Sequence, residues 1–320
     1  MITVYDTATG SLNIGDTIIM EAAMEELEKI FSKEHLVLYP THYALAKSTL
    51  KKSWDNDLGF VCGTNLLRNY WRWRARKNQW SLGFFDAFKM QPAILFGVGW
   101  NVYGDKTEWK AKIFYQKALR KDILHSVRDS YTESKLKDCG VMNIVNTGCP
   151  TLWGLTDKKM SNVPKEKADS VVFTLTDYRQ DSNQDRALIN TLILNYSEVY
   201  FWPQGSEDLI YFQDLLQKDV PNGDRIKLVP SNLRAFNEVL SVNDIDYVGT
   251  RLHAGVRALQ LTKRSIIIGV DNRAIEMKED VNLPVVNRAS IAELSELING
   301  SWKPSLNIPW NEIEKWKAQF

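Results

Sequence analysis

The sequence predicts an α/β protein of two doubly wound domains, and three observations carry that expectation. Short apolar runs alternate with amphipathic stretches along the whole chain, the signature of β-α units and mostly parallel sheets. At 320 residues the chain is longer than one typical domain of about 100–200 residues. A polar, charged stretch at residues 154–167 contains Pro164 and reads as a linker.

Taken in order, the first half reads as strand 2–5, helix 16–31, strand 36–39, helix 42–52 and strand 58–61. An irregular aromatic segment follows, then strand 93–98, helix 107–121, strand 123–127, helix 130–139 and strand 143–146. Ser130 with Glu133 reads as a capping box, and Gly140 as a left-handed stop. Beyond the linker, strands are expected near 171–175, 198–202, 226–229, 247–249, 265–269 and 283–286, separated by helical stretches that end with 291–298. An amphipathic helix, 310–320, follows Pro309. The expected domains are 1–155 and 168–300, with 301–320 returning to the first. Ligands of open α/β sheets bind beyond the carboxyl ends of the strands, so the expected site is a cleft between two such edges.

Composition limits the function classes. Hydrophobic residues are 44% and charged residues 25%, ordinary for a globular chain with a real core. A net charge of +1 gives no global field toward nucleic acid, so any anion site is local. The opening MITVYDTATG is not a signal peptide, and no apolar run is long enough for a membrane span. Cys62, Cys139 and Cys149 lack metal-like spacing and read as reduced thiols, which points to the cytoplasm. No metal site is expected; His35, His42 and His125 sit outside any partner motif. The 11 tryptophans fill cores or stack on sugars.

The sharpest segment is Gly249-Thr250-Arg251-Leu252-His253-Ala254-Gly255, where a strand enters a helix. Arg251 and His253 then lie in the first turn, beside unpaired N–H groups and the positive helix end, a phosphate or carboxylate site. Ala254 and Gly255 would let a ligand approach the backbone. The plainer reading pairs Arg251 with a structural Asp such as Asp246 and packs His253 in a domain interface. Asn13-Ile14-Gly15-Asp16 opens a long helix, with Asp16 as N-cap or as general base. Arg128, in Ser126-Val127-Arg128-Asp129, follows a strand and suits a carboxylate, or simply pairs with Asp129. Cys149, in Gly148-Cys149-Pro150-Thr151, reads as a small buried residue rather than a nucleophile. Asp271, in Asp271-Asn272-Arg273, is placed to hold Arg251 or Arg273. The run Asn69–Lys77, which includes Trp71, Arg72 and Trp73, suits a membrane interface, a lipid-pyrophosphate headgroup, a single-stranded nucleic acid, or arginines lying over a Trp-rich core.

Together, in this order, these segments resemble the polysaccharide pyruvyl transferase superfamily. The resemblance implies a GT-B-like fold of two Rossmann-like domains facing across a cleft. It also implies phosphoenolpyruvate as donor, with no other cofactor, and as acceptor a sugar of a surface glycan or of its lipid-linked precursor. Carried over by motif, Arg128, Arg251, Leu252 and His253 surround the donor. His253 is the candidate acid, Asp16 the candidate base, and Asn65 lies on the acceptor side. The loop Cys62-Gly63-Thr64-Asn65 carries less glycine than is usual there. Two other readings remain: a nucleotide-sugar glycosyltransferase of the same architecture, and a non-catalytic glycan-binding relative.

Overall fold

The computed structural model describes residues 1–74, 79–104, 106–217, 220–242 and 244–320. Ala75, Arg76 and Lys77 of the aromatic-basic run lie outside the described residues. The chain forms two compact units. The first holds Met1–Ser11, Ile19–Trp153 and Ile308–Phe320; the second holds Leu12–Ile18 and Gly154–Asn307.

In the first unit, β1 (Ile2–Asp6), β2 (Leu36–Pro40), β3 (Leu58–Cys62) and β4 (Ile94–Phe96) form a parallel sheet in the order β2-β1-β3-β4. A further parallel pair, β5 (His125–Val127) and β6 (Ile144–Asn146), continues from it. A Val98–Val127 bridge and the bond from Gly97 N–H to the Ser126 carbonyl (3.0 Å) join the two. Helices α1 (Ile14–Ile30), α2 (Lys47–Lys52), α3 (Trp109–Ala118) and α4 (Ser130–Asp138) connect the strands. Every residue of β1 is buried, as crossover helices on a parallel sheet require.

Two local readings are corrected. Residues 42–46 are not helical, because the chain stays tied to β1: Thr41 N–H donates to the Asp6 carbonyl (2.8 Å), and His42 Nε2 lies 3.1 Å from the Thr7 carbonyl. The cap of α4 is Asp129, not Ser130. Its carboxylate accepts from Thr132 N–H (2.7 Å), while Glu133 instead pairs with Lys137.

The core of this unit is aromatic. Trp71, Trp80 and Trp100 are fully buried, and Trp71 stacks on Phe114 at 3.7 Å. The imidazole of His125 is also enclosed. Nδ1 accepts from Leu95 N–H (3.1 Å) and Nε2–H donates to the Arg120 carbonyl (2.8 Å), which fixes a neutral tautomer. Burial pushes its pKa down to about 4. In the unfolded chain it titrates near 6.5, so its contribution is complete above that pH and is lost as pH falls toward 4. The full effect is about 3 kcal/mol, and urea midpoints measured across that window should fall for the native chain and flatten for His125→Gln.

The second unit contains α5 (Asp157–Ser161), β7 (Ser170–Thr174), α6 (Ser182–Asn195), β8 (Glu198–Phe201), α7 (Asp208–Leu216), β9 (Lys227–Leu228), α8 (Leu233–Val242), β10 (Ile245–Gly249), α9 (Leu252–Gln260), β11 (Ser265–Gly269), α10 (Asn272–Val281), β12 (Val285–Asn287) and α11 (Leu294–Asn299). Its six parallel strands run β12-β11-β10-β7-β8-β9. Counted within the unit this is the order 3-2-1-4-5-6 of a Rossmann sheet, with the switch point between β7 and β10. The stretch read as a linker is built into this unit: Thr156 caps α5, and Leu155, Met160 and Val163 are buried. The last helix, α12 (Trp310–Lys317), belongs to the first unit. There Trp316 is fully buried, stacks on Phe96 at 4.7 Å and donates to the Leu124 carbonyl (3.0 Å).

Candidate functional site

At the switch point of the second sheet the ends of β7 and β10 interlock. Thr250 N–H donates to the Thr174 carbonyl and Arg251 N–H to Thr174 Oγ1, both at 3.1 Å. Gly249 is required here, because a Cβ would lie 2.6 Å from Thr174 N. Arg251 is the N-cap of α9, so Leu252 and His253 hold its first two positions at the carboxyl edge of the sheet. Gly255 serves packing rather than ligand approach: a Cβ there would meet Ile267 Cδ1 at 2.8 Å on β11.

The Arg251 side chain turns inward and is 3% exposed. Nε donates to Asp208 Oδ2 and to the Leu175 carbonyl, each at 3.0 Å, and Nη2 donates to Asp177 Oδ1 (2.8 Å) and to Asp208 Oδ1. Asp208, fully buried at the start of α7, also accepts from the N–H groups of Gln204 (3.1 Å), Gly205 (2.6 Å) and Asp177 (3.1 Å). Burial opposes the charge on Arg251, but Asp208 and Asp177 outweigh it and keep the guanidinium ionised. Arg251 is therefore a committed ion-pair partner rather than an open anion anchor. The partner named from sequence, Asp246, instead accepts from Tyr196 OH (2.8 Å) and Arg264 Nη1 (3.4 Å).

Asp271 holds Arg273, with Nε and Nη2 at 3.0 and 2.5 Å from Oδ2. Tyr178 links the two arginines: the Arg251 Cζ lies 5.0 Å from its ring centroid, and its hydroxyl accepts from Arg273 Nη2. The Asn13 turn joins the same unit. Asn13 Oδ1 accepts from Gly15 N–H (3.1 Å) and Gln204 Nε2 (2.7 Å), and Ile14 N–H donates to the Gln204 carbonyl (3.0 Å). Asp16 is thus two residues inside α1 rather than its cap. It is buried, and it adds to the negative groups, Asp271 first, that overcome burial and raise the pKa of Arg273. His253 is buried as well.

The first unit gathers a second set of strand-end residues. Arg128 is 1% exposed; Nε donates to Asp129 Oδ2 (3.0 Å) and Nη1 to Asn65 Oδ1 (2.7 Å). Its Nη2 lies 3.0 Å from the same carboxylate oxygen but makes no hydrogen bond. The guanidinium lies where a side chain at Gly99 would sit. Thr64 takes a left-handed φ of +50°, directly after Gly63 at +56°, a conformation that normally selects glycine. The hydroxyls of Thr7, Thr41 and Thr64 are buried at the ends of β1, β2 and β3, and none has a hydrogen-bond partner among the described residues. Buried polar groups are rarely left so. Cys149 is buried, which raises its thiol pKa, and Thr151 Oγ1 donates to its sulfur at 3.1 Å. Trp71 lies in the core, so of the aromatic-basic residues proposed for the acceptor side only Arg72 and Trp73 are exposed.

The structure thus collects Asn13, Gly15, Asp16, Arg251, Leu252, His253, Asp271 and Arg273 in the second unit, and Asn65 and Arg128 in the first. Asp177, Tyr178, Gln204 and Asp208 went unread in the sequence. Each follows β7 or β8, which was the available signal.

The family model for polysaccharide pyruvyl transferase matches residues 13–272, from the Asn13 turn to the first residue of α10. The chain belongs to the polysaccharide pyruvyl transferase family. Both sets of strand-end residues fall within this match, apart from Thr7, six residues before it, and Arg273, one residue beyond it. No functionally curated protein matches this family member. Among solved structures it resembles the UDP-GlcNAc 2-epimerase of Methanocaldococcus jannaschii in complex with UDP-GlcNAc and UDP, at 12% identity and a TM-score of 0.57, over 99% of this chain and 97% of that one. The UDP-N-acetylglucosamine 2-epimerase of Rickettsia bellii gives 12% and 0.53 over 99% and 94%, and the S. aureus MnaA–UDP co-structure 12% and 0.51 over 92% and 86%. At such identities the likeness concerns the fold, which is GT-B-like and Rossmann-like in both units.

Proposed function

We propose that this family member transfers pyruvate from phosphoenolpyruvate to two hydroxyls of a sugar in a surface glycan or its lipid-linked precursor, forming a ketal and releasing phosphate. The observation that carries the reading is the Gly249–Gly255 turn at the switch point of the second sheet, in a chain whose family is named for pyruvyl transfer. There α9 begins without a side-chain cap at Arg251, and an anion is favoured at the positive end of a helix. On the first unit, Arg128 keeps a buried Nη2 without a hydrogen-bond partner among the described residues. Arg251 is a positioning residue that fixes the strand ends through Asp208 and Asp177.

His253 is the proposed acid and gives a proton to the vinyl methylene, which becomes the methyl group. Asp16 is the proposed base. One sugar oxygen bonds to the central carbon. A second then displaces the phosphate oxygen, and the hydroxyl protons pass to the base and to phosphate. The buried hydroxyls of Thr7, Thr41 and Thr64 support a hydroxyl-rich acceptor on the first unit.

The competing ligand is a nucleoside diphosphate sugar, which the 3-2-1-4-5-6 order of the second sheet also suits. Thermal unfolding separates the two. Phosphoenolpyruvate at a hundredfold excess over its dissociation constant should stabilise the protein by about 2.7 kcal/mol. Phosphate should then be released once a sugar acceptor is added. Stabilisation by UDP and not by phosphoenolpyruvate would reverse the assignment, and acceptor binding without phosphate release would make the chain a glycan-binding relative.

A further inference from the structure

The first unit carries a compact aromatic surface that the transfer chemistry does not use. Trp73, Phe85, Phe88 and Trp109 are 48–58% exposed, yet they form one connected group. Trp73 stacks on Phe85 at 5.4 Å and meets Trp109 edge-on at 6.2 Å. Phe84, buried beneath them, touches Phe88 at 5.6 Å and Trp109 at 6.1 Å. Trp54, also exposed, is tied to the same surface by its indole N–H, which donates to the Lys89 carbonyl (2.9 Å). A folded protein rarely leaves so much aromatic area in water without a partner.

The rim of this surface is basic. Arg72 and Arg74 are exposed and make no ion pair among the described residues, and Phe84 N–H donates to the Arg72 carbonyl (2.8 Å). Lys110 Nζ sits 5.2 Å from the Trp73 ring centroid, and Lys89 edges the Phe84–Phe88 turn. Among the described residues Asp86 and Glu108 pair with two of these four cations, Lys89 (3.4 Å) and Lys110 (3.6 Å). Tryptophan and phenylalanine beside unpaired arginines suit the boundary between headgroups and acyl chains, where rings enter the apolar layer and cations meet anionic lipid. A second copy of the chain fits less well, because a two-fold contact through this surface sets the same cations against each other. Among the described residues no helix is long and apolar enough to cross a membrane.

We infer that this surface, Trp73, Phe85, Phe88 and Trp109 with Arg72 and Arg74, docks the protein on an anionic lipid bilayer. The inference is independent of the donor chemistry. The test is sedimentation of the full chain with phosphatidylcholine vesicles with and without phosphatidylglycerol. Binding should require the anionic lipid and weaken with salt. It should fall more than tenfold in Phe85→Ser/Phe88→Ser and severalfold in Arg72→Gln/Arg74→Gln, with thermal unfolding unchanged. Quenching of tryptophan fluorescence by brominated lipid in the unsubstituted protein gives a second readout that needs no variant. Absence of binding and quenching, binding untouched by both double variants, or a lipid-free dimer that the Phe variants dissolve would each overturn the inference.

Discussion

Asp208→Ala will destabilise the second unit by about 3–5 kcal/mol, and Arg251→Ala will do so by a similar amount. Asp208 is fully buried and accepts from Arg251, Gln204, Gly205 and Asp177. Removing its carboxylate strands a guanidinium that cannot shed its charge and orphans three backbone N–H groups. Removing Arg251 leaves two carboxylates facing each other without compensation. Denaturant unfolding of the single variants and of Arg251→Met/Asp208→Leu measures the coupling. The apolar double variant should recover the part owed to the stranded charge but not the part owed to the three N–H groups, which a leucine side chain cannot satisfy. If either alanine variant unfolds like the native chain, the network does not hold the strand ends. Loss of activity in Arg251→Ala alone cannot therefore identify a donor contact.

His253→Asn is the second large effect. Position two of α9 is preserved and little volume is removed, so the fold should persist. With phosphoenolpyruvate and a competent acceptor, turnover should fall by about 100- to 10,000-fold, the usual contribution of a positioned proton donor. The apparent donor constant should change far less. The kcat profile should also lose the limb that falls as the proton donor is titrated. An unchanged profile with a raised donor constant would make His253 a binding group instead.

The element pattern was legible because strands covered on both faces of a parallel sheet are mostly apolar. The runs at β1, β3, β7 and β11 announce themselves for that reason. Site position was legible through the same logic, since Arg128, Arg251 and Asp271 lie within two residues of a strand end and Arg273 is in the first turn of the next helix. What Arg251 does there was not. Its partner Asp208 is 43 residues away and lies in no local pattern, and pairing across strand ends leaves no periodic trace. Trp71 and Trp73 illustrate the same limit. They are two residues apart in one aromatic run, yet one is stacked on Phe114 inside the core and the other lies on the surface. Thr64 is a third case: a residue type that disfavours left-handed backbone occupies it because the bond from Gly99 N–H to its carbonyl (2.8 Å) holds the loop.

The assignment of Leu12–Ile18 to one unit and of Ile308–Phe320 to the other has a consequence for any attempt to separate the halves. Scission after Trp153 yields two fragments that each carry a piece of the other. The amino-terminal fragment keeps the Asn13 turn but loses Trp316 from its core, and the carboxyl-terminal fragment inherits that indole with nowhere to bury it. Fragments suited to independent expression would instead be spliced, with the last helix grafted directly behind residue 153 and the Asn13 turn supplied to its counterpart.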